Sequence, residues 1–212
     1  YDGEPDDEVV VVDGDPARAY PVRYLHYHEI VNASDAAGSP VAVTWCPLCG
    51  SAVVYERTVP VDGDTRTLTF GVSGKLADDD LVMYDRETDS EWKQSRGVAI
   101  DGPLSGTELT VVPAAMTTVD RFREANPDGE VLAPPGGESE AASDTDDPAP
   151  IDYDAGPYER YFDMDGFGLA AHRGTGDERD WDRDDEIEPK TVVLGLTIGD
   201  DALGFPLPRV EA

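Results

Sequence analysis

The sequence predicts a mainly β fold of the α+β class, built from antiparallel strands with two or three short helices. Short runs rich in β-branched residues, such as 9–12 and 41–44, are typical of strands. Clusters of Gly, Asp and Pro separate these runs, as expected for hairpin turns. With 212 residues, 39% of them hydrophobic, the chain is long enough to bury a core without disulfide staples.

The elements follow in order along the chain. Residues 8–22 are expected to form a hairpin around the turn at 13–16, and Pro21 then begins a helix that runs to about Val31. Strands at 41–46 and 51–56 flank the two cysteines. Later expected elements are strands at 66–72, 80–84, 91–94, 98–100 and 108–112, a helix at 118–125 and a short strand at 131–133.

Changes in composition divide the chain into three parts. Residues 1–133 form the main β-rich domain, and residues 134–190 are an acidic linker or insertion region. Residues 191–212 form a C-terminal hairpin. In this hairpin Phe205-Pro206 occupies the place that Tyr20-Pro21 has in the first hairpin, so a second repeat is expected to begin here.

The charge of the chain excludes some partners. Asp and Glu number 46 against 16 Lys and Arg, which gives a formal net charge of −30, and this balance predicts a salt-adapted, halophilic protein. A phosphate backbone or an anionic membrane surface needs a basic patch, so neither nucleic acid nor such a surface is an expected partner. No apolar run of 18 residues is present, so no transmembrane span is expected.

The densest chemical signal is the motif Cys46-Pro47-Leu48-Cys49-Gly50. Two residues between the cysteines allow both sulfurs to form a redox pair, in which one thiolate attacks and the other resolves the mixed disulfide. His28 is the expected nearby base, and a redox partner protein is implied. The residues after Gly50 favour a strand rather than a helix, which argues against a thioredoxin fold.

The same spacing is compatible with half of a metal site without turnover. Cys46 and Cys49 would supply two thiolates, and His28 and His26 are the first candidates for the remaining ligands. His172 and Met83 are further candidates. Thiolate, imidazole and thioether ligands favour Zn or Cu(I) over Mg or Ca.

A third alternative is a structural or interaction domain in which the cysteines only pack. The sequence therefore leaves open whether the chain is an enzyme, and it specifies neither a substrate nor an oligomeric state.

The ordered motifs of the chain resemble the uncharacterised family called domain of unknown function 3179. The segments that carry the resemblance are Ala19–Pro21, His28–Asn32, Pro40–Gly50, Phe70–Gly74, Asp80–Thr88 and Gly102–Gly106, followed by Pro189-Lys190 and a strand. The resemblance covers most of 8–132 and returns at 170–207, whereas the acidic stretches at 134–157 and 173–188 depart from it.

This resemblance implies a cellular location and a type of reaction, but it does not identify a substrate. Members of the family commonly begin with an export or lipoprotein signal, which implies an extracytoplasmic location. Some relatives are selenoproteins, which implies redox-active chemistry at Cys46 or Cys49 without indicating which of the two is reactive.

Overall fold

The computed structural model describes residues 1, 3–61, 63–143, 145, 147–175, 181, 187–199 and 201–210. Over these residues the chain is mainly β with short helices, which confirms the predicted fold class. The strands are β1 Glu8–Val12, β2 Arg18–Pro21, β3 Ile30–Ser34, β4 Pro40–Cys46, β5 Ser51–Glu56, β6 Thr58–Val61, β7 Asp64–Thr67, β8 Phe70–Ala77, β9 Asp80–Asp85, β10 Glu91–Lys93, β11 Val98–Asp101, β12 Val111–Val112, β13 Ala114–Thr118, β14 Glu130–Val131, β15 Glu138–Ser139, β16 Ala149–Pro150, β17 Val193–Ile198 and β18 Asp201–Pro206.

The helices are α1 Val22–His28, α2 Val119–Ala125, α3 Glu159–Asp163, α4 Gly168–Arg173 and α5 Leu207–Val210, with a 3₁₀ helix at Glu140–Ala142. None of the described helices has the length and apolar character that a membrane span requires.

Three four-stranded sheets organise the described chain. Their strand orders are β13-β1-β2-β14, β12-β5-β4-β3 and β11-β10-β9-β8. Neighbouring strands in these sheets are antiparallel, except for the short parallel pair of β14 and β2. The second of these sheets, which we call the central sheet, carries the cysteine motif.

The central sheet is covered on both faces, because successive side chains of a strand point to opposite sides. Val41, Val43 and Trp45 of β4 pack into one core cluster, with the hairpin of β1 and β2 and with α1. Ala42 and Cys46 pack into the other, with residues of β8, β9 and β10. This alternation places Cys46 on the face of the central sheet that meets the sheet containing β9.

The predicted strands around the cysteines, the first hairpin and the helix α2 are confirmed, with shifts of a residue or two at their ends. The prediction that the first helix runs to Val31 is wrong. The helix ends at His28, and Ile30 pairs with Thr44 as the first residue of β3. Tertiary pairing of the β-branched Ile30-Val31 with the central sheet wins over the weak helical periodicity.

The C-terminal hairpin has the same element order as the first hairpin, but its register differs by one residue, because the partner of the proline lies 12 positions before it in the first hairpin and 13 positions before it in the second. Val9 pairs with Pro21 in the first, and Val193 pairs with Pro206 in the second. A helix follows each proline directly, at Val22 and at Leu207. The second repeat, like the division into three parts, stays a prediction. Within the predicted acidic region, positions 144 and 146 and the segments 176–180 and 182–186 lie outside the described residues.

Candidate functional site

The cysteine motif is a tight loop between two paired strands. Cys46 ends β4 and pairs with Ser51, which begins β5. The backbone N–H of Cys49 donates to the Cys46 carbonyl oxygen at 3.2 Å, and Gly50 has a positive φ of 57° that favours glycine. The loop brings the two Cα atoms to 5.2 Å, and the Sγ atoms lie at disulfide distance. The predicted proximity of the two sulfurs is therefore present.

The two cysteines differ in their access to solvent. Cys46 is 1% exposed and belongs to the core cluster between two sheets. Cys49 is exposed at the surface. An incoming thiolate can therefore reach the sulfur of Cys49, while that of Cys46 is shielded.

The turn between β8 and β9 lies against Cys49. Asp78 and Asp79 form a two-residue hairpin loop, and both have positive φ angles, 55° and 60°. The Cys49 Sγ lies 3.4 Å from the Asp79 carbonyl oxygen and 3.8 Å from Asp80 Oδ1. A disulfide sulfur has no proton to donate, so these contacts can become hydrogen bonds only when Cys49 is reduced.

Burial and a backbone hydrogen bond fix the position of the Asp80 carboxylate. Asp80 is 5% exposed, and its Oδ2 accepts a hydrogen bond from the backbone N–H of Ser95 at 2.9 Å. In the same layer, Gln94 is fully buried and donates to Thr44 Oγ1 at 2.9 Å. The Tyr55 hydroxyl donates to the Gln94 carbonyl oxygen at 2.7 Å. These satisfied buried bonds fix the strands that present Cys46 and Asp80.

A cavity of about 220 Å³ opens beside the buried cysteine. Its lining includes Cys46 and Leu48 of the motif, Glu29 from the end of α1, and Tyr158 and His172 from the chain around α3 and α4. Lys75 of β8 and Arg173 of α4 also line it. The cavity therefore combines apolar walls, an acid, an imidazole and a sulfur.

Glu29 is an unusual residue in this wall. Its φ is 55° and its ψ is −33°, a region that side chains other than Gly, Asn and Asp rarely adopt. Its backbone carbonyl accepts a hydrogen bond from Trp45 N at 2.7 Å, next to Cys46. Burial raises the pKa of the Glu29 carboxyl to about 7. At neutral pH this carboxyl is therefore present in both protonation states.

A tyrosine ring packs between two histidines at the wall of the cavity. The ring of Tyr158 stacks on that of His172, with centroids 5.4 Å apart, and lies 6.0 Å from the ring of His26. Burial raises the pKa of Tyr158 to about 12, and the charge of Glu29 adds to this effect. Burial lowers the pKa of His172, helped by Arg173 and Arg160. Both rings are therefore neutral near pH 7.

His26 and His28 were predicted as metal ligands, and His28 also as a base. Both form hydrogen bonds with aromatic residues. His26 Nδ1 accepts from Trp45 Nε1 at 3.3 Å, and His28 Nε2 lies 2.6 Å from the Tyr153 hydroxyl. Neither histidine is among the residues that line the cavity. Burial lowers the pKa of both imidazoles. The roles of His28 as a base and of both as ligands stay predictions, and this geometry does not support them.

The described residues contain a three-donor group that includes both cysteines. It consists of Cys46, Cys49 and Asp80, whose ligand atoms all lie within 4.8 Å of one another. Among the described residues, no histidine joins these sulfurs in such a group. Met83, the predicted thioether candidate, is fully buried in the core cluster. Two thiolates and a carboxylate suit Zn better than Cu(I).

Two of these site residues were not predicted from the sequence. Asp80 was expected only as the start of a strand, although the run Asp78-Asp79-Asp80 between two apolar segments is a recognisable signal for a tight hairpin turn. Glu29 was assigned to the interior of a helix. A helix end before Ile30-Val31 would have been the clue to its special position.

The comparisons with known proteins identify a family without an assigned activity. A family model described as "Protein of unknown function (DUF3179)" matches residues 2–212. No curated protein and no solved structure matches the chain. The matched range spans nearly the whole chain.

Proposed function

This chain belongs to the DUF3179 family of unknown function, and we propose that its Cys46–Cys49 pair is a reversible dithiol–disulfide centre. The observation that carries the proposal is the asymmetry of the pair, in which Cys49 is an exposed residue and Cys46 is 1% exposed in the core. A purely structural crosslink between residues three positions apart closes a very small loop and so constrains the unfolded chain little.

The exchange proceeds in two steps that balance. A substrate thiolate attacks Cys49 Sγ, the bond between Cys49 and Cys46 breaks, and its electron pair leaves on Cys46 Sγ, which takes up a proton. A second substrate thiolate then attacks the substrate sulfur of the mixed disulfide and releases the Cys49 thiolate. The substrate thiols lose two electrons and become a disulfide, while the cysteine pair becomes a dithiol. The reverse sequence reduces a substrate disulfide.

An extracytoplasmic setting supports this chemistry. Disulfides persist in oxidising compartments and are rare where glutathione and thioredoxin keep thiols reduced. We therefore propose an extracytoplasmic location, which the resemblance to the family also implies. In that setting a redox partner protein would restore the pair to its starting state after each cycle.

Single-cysteine variants test the assignment of Cys49 as the attacking and attacked sulfur. After reduction, Cys46→Ser is expected to form a stable mixed disulfide with glutathione disulfide, because its remaining sulfur is exposed and no second thiol resolves the adduct. Cys49→Ser is expected to react at least about tenfold more slowly than Cys46→Ser, because its remaining sulfur, on Cys46, is buried. Intact-protein mass spectrometry in high salt follows the adduct. Equal rates of adduct formation in the two variants would contradict the assignment of Cys49 as the reactive sulfur. Adduct formation in Cys49→Ser alone, where Cys46 is the remaining cysteine, would contradict it as well.

The donor group supports a second candidate function, a metal centre in the reduced protein. Both thiolates would ligate the metal with the Asp80 carboxylate, so the oxidised protein would not bind it. On this alternative, reduced protein binds Zn²⁺ in a 1:1 ratio and Asp80→Asn weakens binding by about tenfold or more. Asp78→Asn is the matched control, because Asp78 pairs with Lys93 and lies outside the donor group. Calorimetry that finds no binding to reduced protein excludes this function.

A further inference from the structure

Glu29 is a half-buried acid beside the cysteine pair that the fold does not use as a structural partner. Among the described residues, no hydrogen bond or ion pair involves its carboxyl group, although Glu29 is one of the residues that line the cavity. Most other charged groups near the site are engaged, such as Lys75 with Glu91 and Lys93 with Asp78. An unpaired acid in a cavity wall is free to act on what the cavity contains.

The backbone at Glu29 is held in a conformation that favours glycine, yet the residue is a glutamate. Its φ of 55° lies where a side chain other than Gly, Asn or Asp is uncommon. Such positions persist where the surroundings impose them, and they concentrate at functional sites. Here the hydrogen bond from Trp45 N to the Glu29 carbonyl fixes the residue against the strand that ends at Cys46.

Disulfide exchange requires a proton for the sulfur of Cys46, which borders this cavity. When the disulfide is broken at Cys49, the electron pair leaves on Cys46, whose side chain is almost fully buried and lies among apolar residues. A thiolate in such a place is poorly solvated, so protonation of the leaving sulfur favours bond breaking. The cavity brings Cys46 and Glu29 into a common space that is large enough for water molecules between them.

We propose that Glu29 is the proton-transfer residue for Cys46, giving a proton to its sulfur as the disulfide breaks and taking a proton back as the disulfide re-forms. The inference rests on the proposed exchange at Cys46–Cys49. In the reducing direction the Glu29 proton moves to the Cys46 sulfur and the carboxylate regains a proton from water. In the oxidising direction the carboxylate accepts the proton of the Cys46 thiol, whose thiolate then attacks Cys49 in the mixed disulfide.

The other titratable and charged groups that line the cavity with Glu29 are not expected to exchange protons with Cys46 near neutral pH. Tyr158 keeps its proton there, because its pKa is raised to about 12. His172 is neutral because its pKa is lowered. Lys75 is paired with Glu91, and Arg173 lies exposed at the edge. Burial places the pKa of the Glu29 carboxyl at about 7, where a group can both donate and accept a proton.

The pH dependence of reduction by dithiothreitol tests the inference in the oxidised protein. Rates are corrected for the thiolate fraction of dithiothreitol. In the wild-type protein the corrected rate is expected to fall as the pH rises through about 7, because Glu29 loses its proton there. In Glu29→Gln this inflection is expected to disappear, and the rate at pH 6 to fall by about tenfold or more. Glu29→Asp should retain an inflection.

The matched control is Glu130→Gln, which removes a carboxylate that pairs with Arg18, and neither of these two residues lines the cavity. Its profile should keep the wild-type inflection. A wild-type profile with no inflection near pH 7 overturns the inference without reference to any variant, as does an inflection that survives in Glu29→Gln. If the wild-type pair never cycles, the proposed exchange itself fails. Cycling with a profile unaffected by Glu29→Gln removes only the role of Glu29.

Discussion

When the NaCl concentration is lowered from about 2 M to about 0.1 M, we expect the protein to lose its folded structure cooperatively. The Debye length increases from about 3 Å near 1 M salt to about 10 Å at 0.1 M, so each surface carboxylate then interacts with many more like charges. The chain carries 46 acidic and 16 basic residues, a net charge of −30. Native stability is only about 5–15 kcal/mol, so a few tenths of a kcal/mol per carboxylate is enough to unfold it.

The ion pairs of the described residues cannot offset this repulsion. They involve four basic residues, Arg18, Arg23, Lys75 and Lys93. Most of these pairs include an exposed side chain, and exposed pairs contribute little. Among the described residues, most carboxylates therefore lie outside these ion pairs.

Circular dichroism against NaCl concentration measures this transition. At low salt, a pH near 4 should restore part of the structure, because carboxylates begin to protonate there and the repulsion falls. A control titration with a neutral osmolyte separates screening from general stabilisation. A signal that stays flat down to about 50 mM NaCl would instead assign the acidity to another purpose, such as binding a cationic partner.

The substitution Glu29→Gln is expected to stabilise the protein at pH 8 and to have little effect at pH 4. Burial raises the pKa of Glu29 from 4.5 to about 7, so the folded state holds its proton more tightly than the unfolded state. Its contribution to stability is therefore fully present below about pH 4.5 and is lost as the pH rises through about 7. Glutamine mimics the protonated form at every pH.

The size of this effect follows from the shift. A difference of about 2.5 pKa units corresponds to about 3 kcal/mol, and partial exposure of the side chain reduces this to about 2 kcal/mol. Urea unfolding in high salt at both pH values measures the free energy of unfolding. An equal difference between variant and wild type at pH 4 and pH 8 would show that burial of charge at Glu29 is not its cause.

Together the two Glu29 experiments separate stability from chemistry. A residue retained only for folding would be replaced by glutamine without loss, since the neutral side chain relieves the buried charge. We expect instead that Glu29→Gln is more stable than the wild-type protein above pH 7. We also expect that its disulfide exchange is slower than that of the wild-type protein below pH 7. Such a trade-off is typical of residues that serve an active site.

The sequence was informative where local patterns decide the structure. The strands on either side of Cys46 and Cys49 are short runs rich in β-branched and aromatic residues, which indicate strands from the sequence alone, and the two-residue spacing already predicted a close pair of sulfurs. The helix α2 ends at Ala125, directly before Asn126-Pro127, which is a strong stop signal. These features depend on neighbours within a few residues.

The sequence was uninformative where distant segments meet. Asp80 reaches Cys49 because two sheets pack face to face, and no local pattern encodes that contact. Tyr158 and His172 reach the cavity from the region at 134–190, whose composition predicted an acidic linker or insertion. Glu29 was missed because a short apolar segment such as Ile30-Val31 continues a helical pattern as readily as it begins a strand.

A redox titration of the wild-type protein tests the central claim most directly. The protein is equilibrated in high salt with dithiothreitol buffers of increasing oxidising strength, alkylated under denaturing conditions and weighed by mass spectrometry. We predict one two-electron transition, with a slope of about 30 mV per tenfold change, in which Cys46 and Cys49 gain or lose both labels together. A pair that takes up no label at any accessible potential, or two labels at every potential, would contradict a reversible dithiol–disulfide centre.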